Sequence, residues 1–158
     1  MSPVHALART VWRRIGGRWQ WRLLRWRHDT FLVGLTGAVT TRDGRVLVQE
    51  HRYWMGNPWG LPSGWAEVGE TWEQGLAREV REETGLRLEE VRVLRVRPVP
   101  GARRGPRIEV VLAGVLPDDA VPVPDGSEVL RAELLPLEAA RQRLRPEHVG
   151  LLDLAVTS

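Results

Sequence analysis

The apolar positions change period near residue 30. Before that point Trp12, Ile15, Trp19, Leu23 and Trp26 recur at spacings of three to four, one face of a helix over residues 10–28, with Gly16-Gly17 interrupting it. After it, FLVGLTGAVT (31–40) is a nearly continuous apolar run, the pattern of a buried strand. Arg42-Asp43-Gly44 carries hairpin-turn chemistry, and residues 45–50 (RVLVQE) return as a second strand. HRYWMGNP (51–58) reads as a loop, and Trp59 to Pro62 as a short extended piece before Ser63-Gly64. A helix follows. Thr71 is its N-cap, Gln74 completes a capping box, Trp72, Leu76 and Val80 form its apolar stripe, and Gly85 stops it. Strand patterns then cover 88–97, 108–116 and 129–135, separated by Pro- and Gly-rich loops. PLEAARQRL starts a helix with Pro136 in its first turn, and 146–156 forms another. The prediction is an α+β chain: a mixed central sheet with helices on its faces, preceded by a basic N-terminal helix.

Composition narrows this picture. A chain of 158 residues suits one domain, organised as a Trp/Arg-rich arm over 1–28 and a domain over 29–158. The absence of Cys excludes disulfides and thiolate chemistry. The longest near-apolar stretch, 31–39, falls far short of the ~20 residues of a membrane-spanning helix. With no secretory-signal pattern at the basic N-terminus, a cytoplasmic location is expected.

Charge is unevenly placed. All 23 basic residues are Arg, and seven of them (Arg9, Arg13, Arg14, Arg18, Arg22, Arg25 and Arg27) precede residue 29 with no acid among them. The remainder holds sixteen Arg against twenty acids, a net of −4. Three partners suit residues 9–28: a membrane surface, with Trp and Arg at the headgroup boundary; nucleic acid, with Arg on phosphates and Trp stacked on bases; or packing of Trp12, Trp19 and Trp26 on the domain or in a homodimer. The packing or homodimer reading is favoured.

The candidate chemistry sits on the central helix. Glu79, Glu82 and Glu83 occupy i, i+3 and i+4, so their carboxylates share one face. Like charges at this spacing repel, and a divalent cation would screen them; all-oxygen ligation without nearby His or Cys favours Mg²⁺ or Mn²⁺. Arg78 and Arg81 flank the acids. A solvated acidic face is the bland alternative for three glutamates alone.

The residues around them shift that balance. Gly64, Glu70, Arg78-Glu79-Val80, Glu82-Glu83, Gly85 and Leu86 stand at fixed spacing within GWAEVGETWEQGLAREVREETGL, residues 64–86. This segment resembles the Nudix box at all nine defining positions, and the strand order over residues 30–156 is similar to the family's domain. The resemblance implies an α/β/α sandwich and a metal-dependent pyrophosphohydrolase. Such an enzyme cleaves a nucleoside diphosphate linked to another moiety, such as a nucleoside triphosphate, nucleotide sugar or nucleotide alcohol. It further implies that Glu79, Glu82 and Glu83 bind metal and that Arg78 orients glutamates, with Glu70 as its partner. A further acid outside the box acts as ligand or general base; Glu128 is placed ahead of Glu109, expected to point outward, and Glu133. The family's usual Leu-Pro-Gly-Gly is Leu61-Pro62-Ser63-Gly64 here, so the carbonyl of Ser63 would serve the metal if its backbone needs no positive φ.

The substrate is less legible. Tyr53 and Trp54, on the Gly/Pro loop before the box, are candidates to stack on a base or ribose, while Trp59, Trp65 and Trp72 are expected to be structural. Arg103 and Arg104 lie in a basic loop suited to a phosphate-bearing group. Two alternatives stand beside the hydrolase: a nucleotide- or nucleic-acid-sensing module with little turnover, and a pyrophosphohydrolase of 5′-triphosphate RNA.

Overall fold

The computed structural model describes residues 31–100 and 106–157, together with Gly17, Arg22 and Trp26, each of which is helical. The chain divides into two compact units, Met1–Phe31 and Leu32–Ser158. The expected basic helix and its proposed partners fall almost wholly outside the described residues.

In the second unit, β1 (Leu32–Thr41) and β2 (Arg45–His51) form the expected hairpin, with Gly44 supplying a φ of 90°. The short strands β3 (Trp59–Gly60) and β4 (Ser63–Trp65) follow, then α1 (Trp72–Thr84), β5 (Glu90–Val99), β6 (Arg107–Leu116), β7 (Val129–Pro136), α2 (Leu137–Arg143) and α3 (Pro146–Val156). The sheet is mixed: β1 and β6 run parallel, while the other pairs, β2–β3, β1–β4, β5–β6 and β2–β7, are antiparallel like the hairpin. The main path is β3-β2-β1-β6-β5.

Period-2 alternation splits the core between the two faces of the sheet. Leu35 and Val39 of β1, Leu47 of β2, and Val110 and Leu112 of β6 face α1 and pack on Leu76 and Val80. Ala38, Val46, Val48 and Val111, one position out of phase, face α2 and α3 and pack on Ala140, Leu144, Leu151 and Leu152. The result is the expected α/β/α sandwich. One boundary differs. Pro136 closes β7 and is the N-cap of α2, so it precedes the helix rather than lying in its first turn. Among the described residues no helix is long and apolar enough to cross a membrane.

Candidate active site

The box helix is fixed by local chemistry. The Thr71 hydroxyl accepts from Gln74 N–H at 3.2 Å, and the Gln74 side chain accepts from Thr71 N–H at 2.9 Å. Gly85 ends the helix with a left-handed φ of 69°. Ahead of it, β4 lies antiparallel on β1, with Ser63 opposite Thr36 and Trp65 opposite Gly34. This brings the backbone of Gly64 against Glu79. A Cβ at Gly64 would lie 2.0 Å from Glu79 Cδ and 2.1 Å from its Oε1. A larger residue there would have to displace Glu79 or β4, a matter of contact rather than dihedral angle. Among the described residues only Gly has positive φ, so Ser63 keeps an ordinary backbone and its carbonyl meets the stated condition.

Arg78 is the hub. Its Nε donates to Glu70 Oε2 at 3.1 Å, Nη2 to Glu70 Oε1 and to the Trp65 carbonyl at 3.0 Å each, and Nη1 to Glu79 Oε1 at 3.0 Å. The pairing with Glu70 expected from the resemblance is present. Arg78, then the Glu67 N–H, hold the Glu70 carboxyl below its ordinary range. Glu79 also accepts from Trp65 N–H at 3.2 Å. Burial nonetheless pushes its carboxyl up, against the pull of Arg78. Glu82 is 55% exposed, with Arg78 at 3.5 Å.

Glu83 is the buried member, at 7% exposure. Gln49 Nε2 donates to its Oε2 at 3.0 Å, while Gln49 Oε1 is buried without a partner among the described residues. Burial pushes Glu83 up to about 8, and the carboxylates of Glu79, Glu128 and Asp125 push the same way. Glu128 thus lies within electrostatic reach of Glu83. Asp125, which the sequence reading passed over, anchors the same loop. Its N–H donates to the Glu83 carbonyl at 3.0 Å, and its carboxylate accepts from the Ser127 hydroxyl, Glu128 N–H and Val129 N–H. Burial works against those hydrogen bonds, which outweigh it and hold Asp125 below its ordinary value.

Among the described residues no three His, Asp or Glu side chains converge as a metal site. Glu79 is turned to Arg78 and Trp65, Glu82 to Arg78, and Glu83 inward to Gln49. The donor set still fits a hard divalent cation. It is all carboxylate, and the negative charge that helps push Glu83 up is charge a cation would neutralise.

A second region opens on the face of α2 and α3. It is a cleft of about 490 Å³ between β1, β4, the adjoining ends of β5 and β6, and α3. Arg97 Nε donates to Glu109 Oε2 at 2.6 Å across the β5–β6 pair. With its side chain 12% exposed and lining the cleft, Glu109 does not point outward as expected, because residues 107, 109 and 111 share the face of α3. Trp65 lines the cleft at 46% exposure, so it is not the purely structural residue the sequence suggested. Trp72 is also part-exposed, whereas Trp59 is buried as expected. Trp54 reaches the cleft, but His51 stacks on it at 3.8 Å and the Arg145 guanidinium lies 4.7 Å from its ring centre. Tyr53 is 71% exposed and does not line the cleft. Arg103 and Arg104 lie outside the described residues. His148, which the sequence gave no reason to select, accepts from Leu61 N–H through Nδ1 at 2.9 Å. Burial first, then nearby positive charge, push His51 and His148 down to about 4, so both are neutral at pH 7.

A mixed sheet thus lies between helix layers, with an acidic helix against a Gly-bearing strand. The chain belongs to the NUDIX domain family, whose model matches residues 31–155. It is 46% identical over 57 residues to a "MutT-like protein" of Streptomyces ambofaciens, covering 36% of either chain. It is 34% identical over 59 residues to the "NAD-capped RNA hydrolase NudC" of Photorhabdus laumondii, covering 37% of this chain and 23% of that protein. These matches span about a third or less of the relatives' own length. Among solved structures, the NUDIX domain of Shewanella oneidensis NrtR in complex with ADP ribose aligns with a TM-score of 0.71. It is 19% identical, with 99% of this chain and 98% of that one covered, a likeness of fold.

Proposed function

We propose that this protein is a divalent-metal-dependent pyrophosphohydrolase acting on a nucleoside diphosphate linked to another moiety. The observation that carries the reading is the box helix, on which Arg78 holds Glu70 and Glu79 in place and Glu83 is buried against Gln49. Glu79, Glu82, Glu83 and the Ser63 carbonyl would hold Mg²⁺ or Mn²⁺, which supplies charge neutralisation at the diphosphate and acidifies water. Water attacks phosphorus, the bridging P–O bond breaks, and two phosphate products leave. Glu128 is the carboxylate offered for the water's proton, because it lies within electrostatic reach of Glu83 without belonging to the ligand set. Arg78 keeps Glu79 in one rotamer, and Gln49 does the same for Glu83. The cleft behind β4 would receive the nucleoside or its attached group, with Trp65 as its exposed aromatic wall.

The local similarity to proteins named MutT-like and NAD-capped RNA hydrolase supports hydrolysis and widens the panel to RNA 5′ ends. The test is a mass-spectrometric product screen with Mg²⁺ over nucleoside triphosphates, nucleotide sugars, ADP-ribose, dinucleoside polyphosphates, 5′-triphosphate RNA and NAD-capped RNA. Cleavage of one class is expected, falling about 10²-fold or more in Glu82→Gln and Glu83→Gln. Unchanged rates in both variants would overturn the mechanism. The sensor reading draws on the separation of the carboxylates by their protein partners. Silence across the panel with nucleotide binding retained would favour it.

A further inference from the structure

Among the described residues three guanidiniums line the cleft, and they are not equivalent. Arg97 is paired with Glu109, and Arg145 with Glu147 at 3.5 Å. Arg107, the first residue of β6, is half-buried on the same sheet face, and among the described residues no carboxylate or hydrogen-bond acceptor meets its guanidinium. Its backbone neighbours across the sheet, Leu32 and Val99, have apolar side chains. A guanidinium without a counter-ion is open to an anion, and its planar fork matches a phosphate better than any neutral group.

Strand register sets the backbone of Arg107 well apart from that of Ser63, beside the box. Ser63 pairs with Thr36, whereas Arg107 pairs with Leu32, four residues further along β1. That separation is ~13 Å along the strand and, with β4 and β6 on opposite sides of β1, ~10 Å across it. A substrate whose diphosphate lies at the box would turn its nucleoside part, rather than the diphosphate, toward Arg107.

We infer that Arg107 binds a second phosphate on the nucleoside, at the 2′ or 3′ position of the ribose. The preferred substrates are then diphosphates of ribose-phosphorylated nucleotides. This deepens the reading above and rests on it for where the diphosphate lies. The chemistry is shared by small nucleotides bearing a phosphomonoester and by the 5′ end of RNA, where the group is the first phosphodiester.

Calorimetric titration of the full chain with the corresponding products separates these sources and needs no turnover. Adenosine 3′,5′-bisphosphate, adenosine 2′,5′-bisphosphate and the dinucleotide pApA are each compared with AMP. At least one is expected to bind about tenfold tighter than AMP, the factor of a single charge-assisted contact. A gain with a bisphosphate identifies the monoester, and a gain with pApA alone identifies RNA. Arg107→Gln should abolish the gap and Arg107→Lys keep part of it, with unchanged thermal unfolding because no protein partner is lost. Equal affinities in the wild type, a gap that survives Arg107→Gln, or no binding of any compound would overturn the inference. Hydrolysis absent while the gap persists would instead remove the pyrophosphohydrolase reading and leave the Arg107 site standing.

Discussion

At the scale of single residues, Gly64 makes the sharpest link between sequence and site. Its requirement is a contact with Glu79, so one methyl group tests it. Gly64→Ala forces either β4 or the Glu79 side chain to move, and the latter is held by Arg78 and Trp65 N–H. Overpacking of this kind costs ~1–3 kcal/mol. Urea unfolding should show that loss, and diphosphate hydrolysis should fall by about tenfold or more, since each tenfold needs only ~1.4 kcal/mol at the barrier. Wild-type values for both would mean that Glu79 is not confined as its contacts indicate. The box acids and Arg78 were legible because each stands at a fixed spacing on one helix. Gln49, Asp125 and His148 were not. Gln49 meets Glu83 across 34 positions of sequence, and His148 meets Leu61 across 87, so no local pattern could announce either.

At the scale of elements, legibility followed how local the stabilising chemistry is. The capping box, the Gly85 stop and Pro146 at the first turn of α3 are satisfied within a few residues, and these ends lay within a residue or two of where they were expected. Strands β3 and β4 span two and three residues, too short for any period to show, and exist because β2 and β1 offer backbone partners. Pro136 was misplaced for a related reason: its fixed φ suits either the end of a strand or a helix start, and pairing with Arg45 of β2 decides for the strand. The capping box makes its own prediction. Thr71→Ala removes the acceptor for Gln74 N–H and should cost ~1 kcal/mol in denaturant unfolding at an unchanged m-value. No loss of stability would show that tertiary packing of Leu76 and Val80 alone sets the helix start.

At the scale of the whole molecule, the sheet keeps two chemistries apart. The acidic helix packs on one face, and the arginine-lined cleft opens on the other, bounded by residues drawn from β1, β4, β5, β6 and α3. The sandwich was foreseeable from alternation, whereas the cleft depends on which strands become neighbours. Its rear wall also makes stability depend on pH. His51 stacks on Trp54 with Nε2 buried and unpartnered, while His148 meets the edge of the same indole. Burial, the other imidazole and Arg145 all oppose a charge on His51, whose value falls to about 4 from an ordinary 6.5. Glu147 and Glu109 face His148 and pull the other way there, but burial and Arg145 prevail. With its folded value depressed, His51 costs nothing above pH 6.5. Between 6.5 and about 4 the unfolded chain holds a proton that the folded one refuses, and stability falls as pH falls. At pH 5 the loss is about 2 kcal/mol for this one imidazole. Glu83 and Glu79 are raised and shift stability in the opposite sense over overlapping pH ranges, so the wild-type profile alone mixes the two signs. The difference between wild type and His51→Phe isolates the histidine, because Phe keeps the flat stack and does not titrate. Urea unfolding of both proteins at pH 7 and pH 5 should show His51→Phe gaining about 2 kcal/mol on the wild type over that interval. A difference that stays constant with pH would show that His51 takes up its proton without leaving its place against Trp54, and that the rear wall of the cleft is wet rather than closed.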